Sequence, residues 1–138
     1  MPGRGGYYTA DLIALQHWRP DLVISMVPRS EVVLPGAASL PNDLAGLGIG
    51  WAQCAVADYD IPVEGWHAVS ALAHAKIQSG GRVLIHCMAG CGRSWMAALR
   101  LMVEAGEDPA AALIRLREAR PHAVEADAQF KWAASGKP

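Results

Sequence analysis

Apolar residues recur along the chain in two rhythms. From Thr9, Leu12, Ile13, Leu15 and Trp18 fall on a helical stripe that Pro20 stops, which predicts a short first helix. Asp21 to Val27 is instead an apolar run rich in β-branched residues between Pro20 and Pro28, the pattern of a buried strand. Pro35 to Gly50 carries Gly, Pro and Asn at short intervals and predicts a connection with at most one helical turn near Asp43. Strand character returns from Ile49 to Val56.

Trp66, Val69, Leu72, Ala73 and Ile77 then recur at helical spacing until Gly80 and Gly81, so Gly65 to Gln78 is predicted as an amphipathic helix. Arg82 to His86 reads as a third strand around Val83, Leu84 and Ile85. Ser94 to Glu104 is apolar nearly all round, as a helix at the centre of a domain must be, and Gly106 ends it. Asp108 is placed to cap a further helix with Pro109 at its first position, running to about Arg120 before Pro121. A last helix is expected from Glu125 to Ala134. Strands alternating with helices predict an α/β fold with a parallel-rich central sheet, whose ligands sit at the carboxyl ends of the strands.

Composition narrows the function. The length of 138 residues suits a single domain over 1–138, with residues 1–6 expected as a flexible lead. Twelve Lys and Arg against thirteen Asp and Glu leave no basic excess for a nucleic acid or an anionic membrane, so neither is expected as a partner. The longest uncharged run, Leu44 to Ala57, is too short for a membrane span and is broken by glycines. No apolar stretch follows the N-terminal positive charge as in a secretion signal, which makes the cytoplasm the expected location. Three cysteines, Cys54, Cys87 and Cys91, are too few and too odd in number for a disulfide scaffold.

The chemistry concentrates between the third strand and the central helix, in His86-Cys87-Met88-Ala89-Gly90-Cys91-Gly92-Arg93-Ser94. A strand-to-helix turn directs successive backbone N–H groups into one concavity at the positive end of a helix dipole, an anion site. Gly90 and Gly92 permit the dihedral angles such a cradle needs. Cys87 at its mouth would feel those N–H groups and Arg93, which favour thiolate over thiol. Arg93, six positions on, can curl back and meet the same anion with two parallel hydrogen bonds. Phosphoryl transfer asks mainly for positioning and for charge stabilisation on three equatorial oxygens, which residues 87–93 supply without a metal. Ser94 is placed to donate to the sulfur when it leaves.

The segment resembles the H-C-x-x-G-x-x-R-S/T pattern of the cysteine-dependent protein tyrosine phosphatase superfamily, and five fixed positions match, a coincidence on the order of one in tens of thousands. Asp58-Tyr59-Asp60-Ile61-Pro62 is similar to its D-x-x-x-P loop, and Arg120-Pro121 through Glu125 to Gln129 to its R-P-x-x-x-E-x-x-x-Q stretch. The Asp21 to Glu31 strand and turn is also similar. The resemblance implies a small dual-specificity-like phosphatase of three-layer architecture, with helices on both faces of the sheet and no cofactor or metal. It implies Cys87 as nucleophile, Asp58 as general acid, His86 behind the loop holding Cys87, and Gln129 orienting water. Residues 87–93 would bind the phosphate of a phosphorylated protein.

Alternatives stand beside several of these residues. Asp60 competes with Asp58, although four-residue spacing to Pro62 favours Asp58. Gln129 can equally be an ordinary polar residue on a helix face. Cys91 and Cys54 are each a small filler or a partner for an oxidised Cys87. His86, Cys87 and Cys91 lack a second ligand pair at zinc spacing. Trp95 stands where the family has a small residue, so the indole must pack under the loop or alter its approach to the sheet. Two other functions are compatible with the loop: a phosphate-recognising module made inactive by Trp95, and a rhodanese-type sulfurtransferase. A retained Asp58 speaks against the first, since a pure binder has no use for a positioned acid, and the Asp58 loop and the Arg93-Ser94 pair speak against the second.

Overall fold

The computed structural model describes residues 1–33 and 36–137. Its centre is a three-stranded, wholly parallel sheet in the order β2-β1-β3, formed by β1 (Leu22–Ser25), β2 (Gly50–Gln53) and β3 (Val83–His86). Leu22 pairs with Gly50 on one side and Val83 on the other, and Ser25 with Gln53 and His86. This register brings Ser25 and His86 to the same carboxyl end, where an α/β sheet places its ligands. All four residues of β1 are buried, as expected of a central strand covered on both faces.

Each strand is shorter than the sequence suggests. Pro28 has no N–H to extend the ladder, yet pairing continues irregularly up to it, with Met26 N–H donating to His86 O and Val56 N–H to Met26 O. The helices follow the apolar spacing more closely. α1 (Tyr8–Trp18) precedes β1, α4 (Trp66–Gln78) precedes β3, and α5 (Arg93–Glu104) follows it. α6 (Pro109–Ala119) is capped by Asp108, whose Oδ1 accepts from Ala110 and Ala111 N–H at 3.1 and 2.9 Å. α7 (Asp127–Ala134) starts two residues later than predicted.

Two short helices depart from the sequence reading. α2 (Arg29–Val33) was not expected, because five residues after Pro28 are too few to show a period. α3 (Leu40–Gly46) is seven residues long where a single turn was predicted, with Leu40 and Leu44 fully buried against the core. Pro35, where that connection was predicted to begin, lies outside the described residues. Residues 1–6, expected as a flexible lead, turn back so that Gly3 N–H donates to Asp11 Oδ2 at 2.7 Å.

Helices cover both faces of the sheet. Leu15 and Trp18 of α1 approach Leu84 on one face, and α4 and α5 pack on β1 and β3 from the other. α5 also contacts α4, α6 and α7, and none of its residues is exposed. Its last residue, Glu104, is a hub that accepts from Trp66 Nε1 at 2.9 Å, from Ser70 Oγ, and from Arg100 Nε at 2.8 Å, with His74 Nε2 at 3.1 Å. Trp132 of α7 completes the clasp, edge-on to Trp66 at 5.1 Å and under the Arg100 guanidinium at 4.8 Å. Among the described residues no helix is long and apolar enough to cross a membrane.

Candidate active site

The turn from β3 to α5 wraps the Cys87 sulfur. Gly90 N–H donates to Sγ at 3.2 Å and Ser94 Oγ lies 3.4 Å away. No side chain caps the N-terminus of α5, so its first N–H groups are free for an anion. Burial by itself would push the Cys87 thiol up. Hydrogen bonds from the Ser94 hydroxyl and from the backbone N–H groups of Ser94, Gly90 and Cys91 outweigh it and hold the thiol below its ordinary pKa.

Two loop carbonyls are held by donors from outside the loop. Trp95 Nε1 donates to Gly90 O at 2.9 Å, and Val124 N–H to Cys91 O at 3.1 Å. Gly90 has φ +70°, a conformation side-chain-bearing residues rarely adopt. Gly92 is required for a different reason: a Cβ there would lie 2.7 Å from Glu125 Oε2 and 3.0 Å from Gln129 Oε1. Ala89 is exposed and Met88 is partly buried against the core.

Behind the loop, His86 is buried with Nε2 2.7 Å from Ser25 Oγ and Nδ1 3.3 Å from Cys87 O. Burial above all lowers its pKa to about 4, against the opposing pull of the Cys87 carbonyl. A neutral ring facing a carbonyl must carry its proton on Nδ1, so Nε2 accepts from the Ser25 hydroxyl. Trp51 Nε1 donates to the same Ser25 Oγ at 2.9 Å and completes the chain of donors. Ser25 and Trp51 reach the site by sheet register alone; their signal was their position on neighbouring strands at the carboxyl edge.

Arg93 is 2% exposed. Glu31 of α2 receives it as a bidentate pair, Nη1 to Oε1 and Nη2 to Oε2, both at 2.9 Å, while Nη1 also donates to Val56 O at 2.9 Å. Burial alone would lower the Arg93 pKa; Glu31 first, then Asp58 and Cys87, raise it instead, so the guanidinium keeps its charge. Glu31 was within the stretch noted for its similarity but carried no role in the sequence reading. The clue was chemical: an arginine buried at a phosphate site needs a carboxylate to hold it.

Asp58 and Asp60 separate by geometry. Asp58 Oδ1 lies 3.3 Å from Arg93 Nη2, whereas Asp60 Oδ1 accepts from its own neighbour, Ile61 N–H, at 2.8 Å. Tyr59 between them has φ +61° and Val124 has φ +62°, so two strained non-glycine residues flank the site. Gln129 is fully buried, not on an exposed face. Its Oε1 accepts from Glu125 and Ala126 N–H at 3.2 and 3.3 Å, and its Nε2 reaches Asp60 O at 3.4 Å, tying the Asp58 loop to the start of α7.

The remaining thiols face elsewhere. Cys91 Sγ lies 3.8 Å from Ala89 O and accepts from Arg120 Nη2 at 3.4 Å, which brings a cation to the rim of the loop. Cys54 is buried, its thiol directed to Glu64 O at 3.7 Å and pushed up in pKa by burial. All three cysteines are free.

This arrangement, a cysteine cradled by a strand-to-helix loop with a buried arginine beside it, is that of a phosphate-ester hydrolase. The protein-tyrosine phosphatase family model matches residues 49–135, and the chain belongs to that family. It is similar to the crystal structure of kinase associated phosphatase carrying a serine in place of its catalytic cysteine: 20% identity over 89% of this chain and 71% of that one, TM-score 0.81. It is similar also to Tk-PTP in the active form, with 27% identity over 95% and 83% of the two chains and TM-score 0.75. DUSP15 matches at 20% identity over 92% and 76%, TM-score 0.71. Comparison with curated proteins gives no match. The family match makes the chain a protein-tyrosine phosphatase domain, and these structures share its fold.

Proposed function

We propose that the protein hydrolyses phosphomonoesters through a phosphocysteine intermediate, acting on phosphotyrosine and on phosphoserine or phosphothreonine in proteins. The observation that carries this reading is the Cys87 sulfur, held as a low-pKa thiol by loop N–H groups and Ser94, with Arg93 and Asp58 in contact at the same site. In the first step the thiolate attacks phosphorus, the S–P bond forms, the P–O bond breaks, and Asp58 gives its proton to the leaving oxygen. In the second, water attacks phosphorus and gives a proton to Asp58, and the sulfur leaves as thiolate with Ser94 donating to it.

Backbone N–H groups of residues 88–93 and the Arg93 fork would hold the three equatorial oxygens in both steps. His86 holds Cys87 from behind. Gln129, close to Gly92 and tied to the Asp58 loop, is placed to orient the water once a ligand rearranges its bonds. A recess lined by Tyr59, Arg117 and His122 beside the Asp58 loop supports a substrate that continues beyond the phosphate, as a protein does.

Hydrolysis of an aryl phosphate and of phosphopeptides by the purified protein, with a chelator present, tests this. Wild-type turnover with none from Cys87→Ser is the expected result. Asp58→Asn should lower kcat about 10²- to 10⁴-fold for an alkyl phosphate and less for a good leaving group, while Asp60→Asn should not. A wild type that binds a phosphotyrosine peptide without hydrolysing it would overturn the reading in favour of a recognition module.

A further inference from the structure

The chemistry above leaves Trp95 without a part, although it stands directly after Ser94 in the first turn of α5. An indole nitrogen can only donate, and Trp95 Nε1 donates to Gly90 O at 2.9 Å across the loop. A trans peptide sets its C=O and the following N–H on opposite sides. Fixing Gly90 O outward therefore turns Cys91 N–H inward, toward the concavity that holds the Cys87 sulfur.

Gly90 has φ +70° and no side chain, and a Cβ there would meet nothing within 4 Å, so no side-chain packing holds this peptide. The next peptide is held already, since Val124 N–H donates to Cys91 O at 3.1 Å. The Trp95 ring is partly buried against the core and so presents its N–H from a fixed position.

We propose that Trp95 is a positioning residue whose indole N–H locks the Gly90–Cys91 peptide with its N–H facing the anion, keeping the phosphate cradle assembled without a ligand. The bulky side chain is then a support of the loop. This rests on reading Cys87 as the nucleophile, but the lock itself is measurable without turnover.

The test compares the full chain with Trp95→Phe and with benzothienylalanine at position 95, which keeps the bicyclic shape and lacks the N–H. Cys87 alkylation by iodoacetamide is followed against pH by peptide mass, phosphate affinity by calorimetry, and fold by thermal melting. Loss of one N–H to a thiolate should raise the alkylation midpoint by about one pH unit, and weaken phosphate binding about tenfold. The benzothienyl variant should melt close to wild type, separating the lock from packing. Unchanged midpoint and phosphate affinity in folded variants would overturn the proposal. A wild type inert on aryl phosphate whose Cys87 midpoint still depends on Trp95 would leave the lock standing and remove only the catalytic reading.

Discussion

Arg93 already holds partners at both terminal nitrogens: Glu31 takes one donor from each Nη, Val56 O takes one from Nη1, and the Asp58 carboxylate lies as an ion-pair partner 3.3 Å from Nη2. The looser Asp58 contact is the one a phosphoryl oxygen would replace. Glu31 then keeps the guanidinium plane in place, and Glu31→Ala should lower kcat/KM on an aryl phosphate by about tenfold or more, the loss of a preorganised donor fork. The opposite outcome, tighter phosphate binding with undiminished turnover, would mean that Glu31 competes with substrate. The residues proposed to meet the phosphate were legible because they are contiguous: His86 to Ser94 fold into one loop whose spacing is its geometry. Glu31, Ser25 and Trp51 come from separate elements, and sequence spacing carries no trace of a contact made across a sheet. Asp58 and Asp60 differ in the structure by their contacts, Asp58 with Arg93 and Asp60 with its neighbouring N–H, which sequence spacing does not reveal.

At the scale of elements, the apolar period located every helix of three turns, although only part of each stripe is buried: Ile13 and Trp18 of α1 and Leu72 and Ile77 of α4 are exposed. It missed α2 and under-read α3, where a few turns are held by neighbours and not by their own period. The clasp at Glu104 was equally invisible, since its donors come from α4 and α5 and are braced by Trp132 of α7. Burial alone would raise the Glu104 pKa, but hydrogen bonds from Ser70, Trp66, Arg100 and His74 lower it below its ordinary value. A carboxylate depressed in the folded state contributes stability that is full above its unfolded pKa and is lost as pH falls through the folded one. Glu104→Ala should therefore cost about 1–3 kcal/mol at neutral pH, the price of leaving Trp66 and Ser70 without their acceptor, and much less in acid. Urea unfolding at both pH values measures it, and an equal loss at both would assign the effect to packing instead.

For the whole molecule, the sheet is only three strands wide, so the buried ring of His86 between Ser25 and Cys87 lies at the junction of the central strand and the site. Its pKa is lowered to about 4 from 6.5, which means the unfolded chain takes up a proton below pH 6.5 that the folded one refuses. Stability is therefore unaffected by this group above that range, falls as pH drops from 6.5 to about 4, and is level again below. Integrated over the window, the loss is about 3 kcal/mol, a large part of the stability of a domain this size. The lowered Cys87 thiol widens the pH range over which the proposed nucleophile is ionised. His86→Asn, which keeps a donor near the Cys87 carbonyl and cannot titrate, should flatten the urea midpoint between pH 6.5 and 4 while lowering it at neutral pH. A wild-type midpoint that does not move across that window would show His86 protonating freely in the folded protein, and with it the donor chain from Trp51 through Ser25 would have to run the other way.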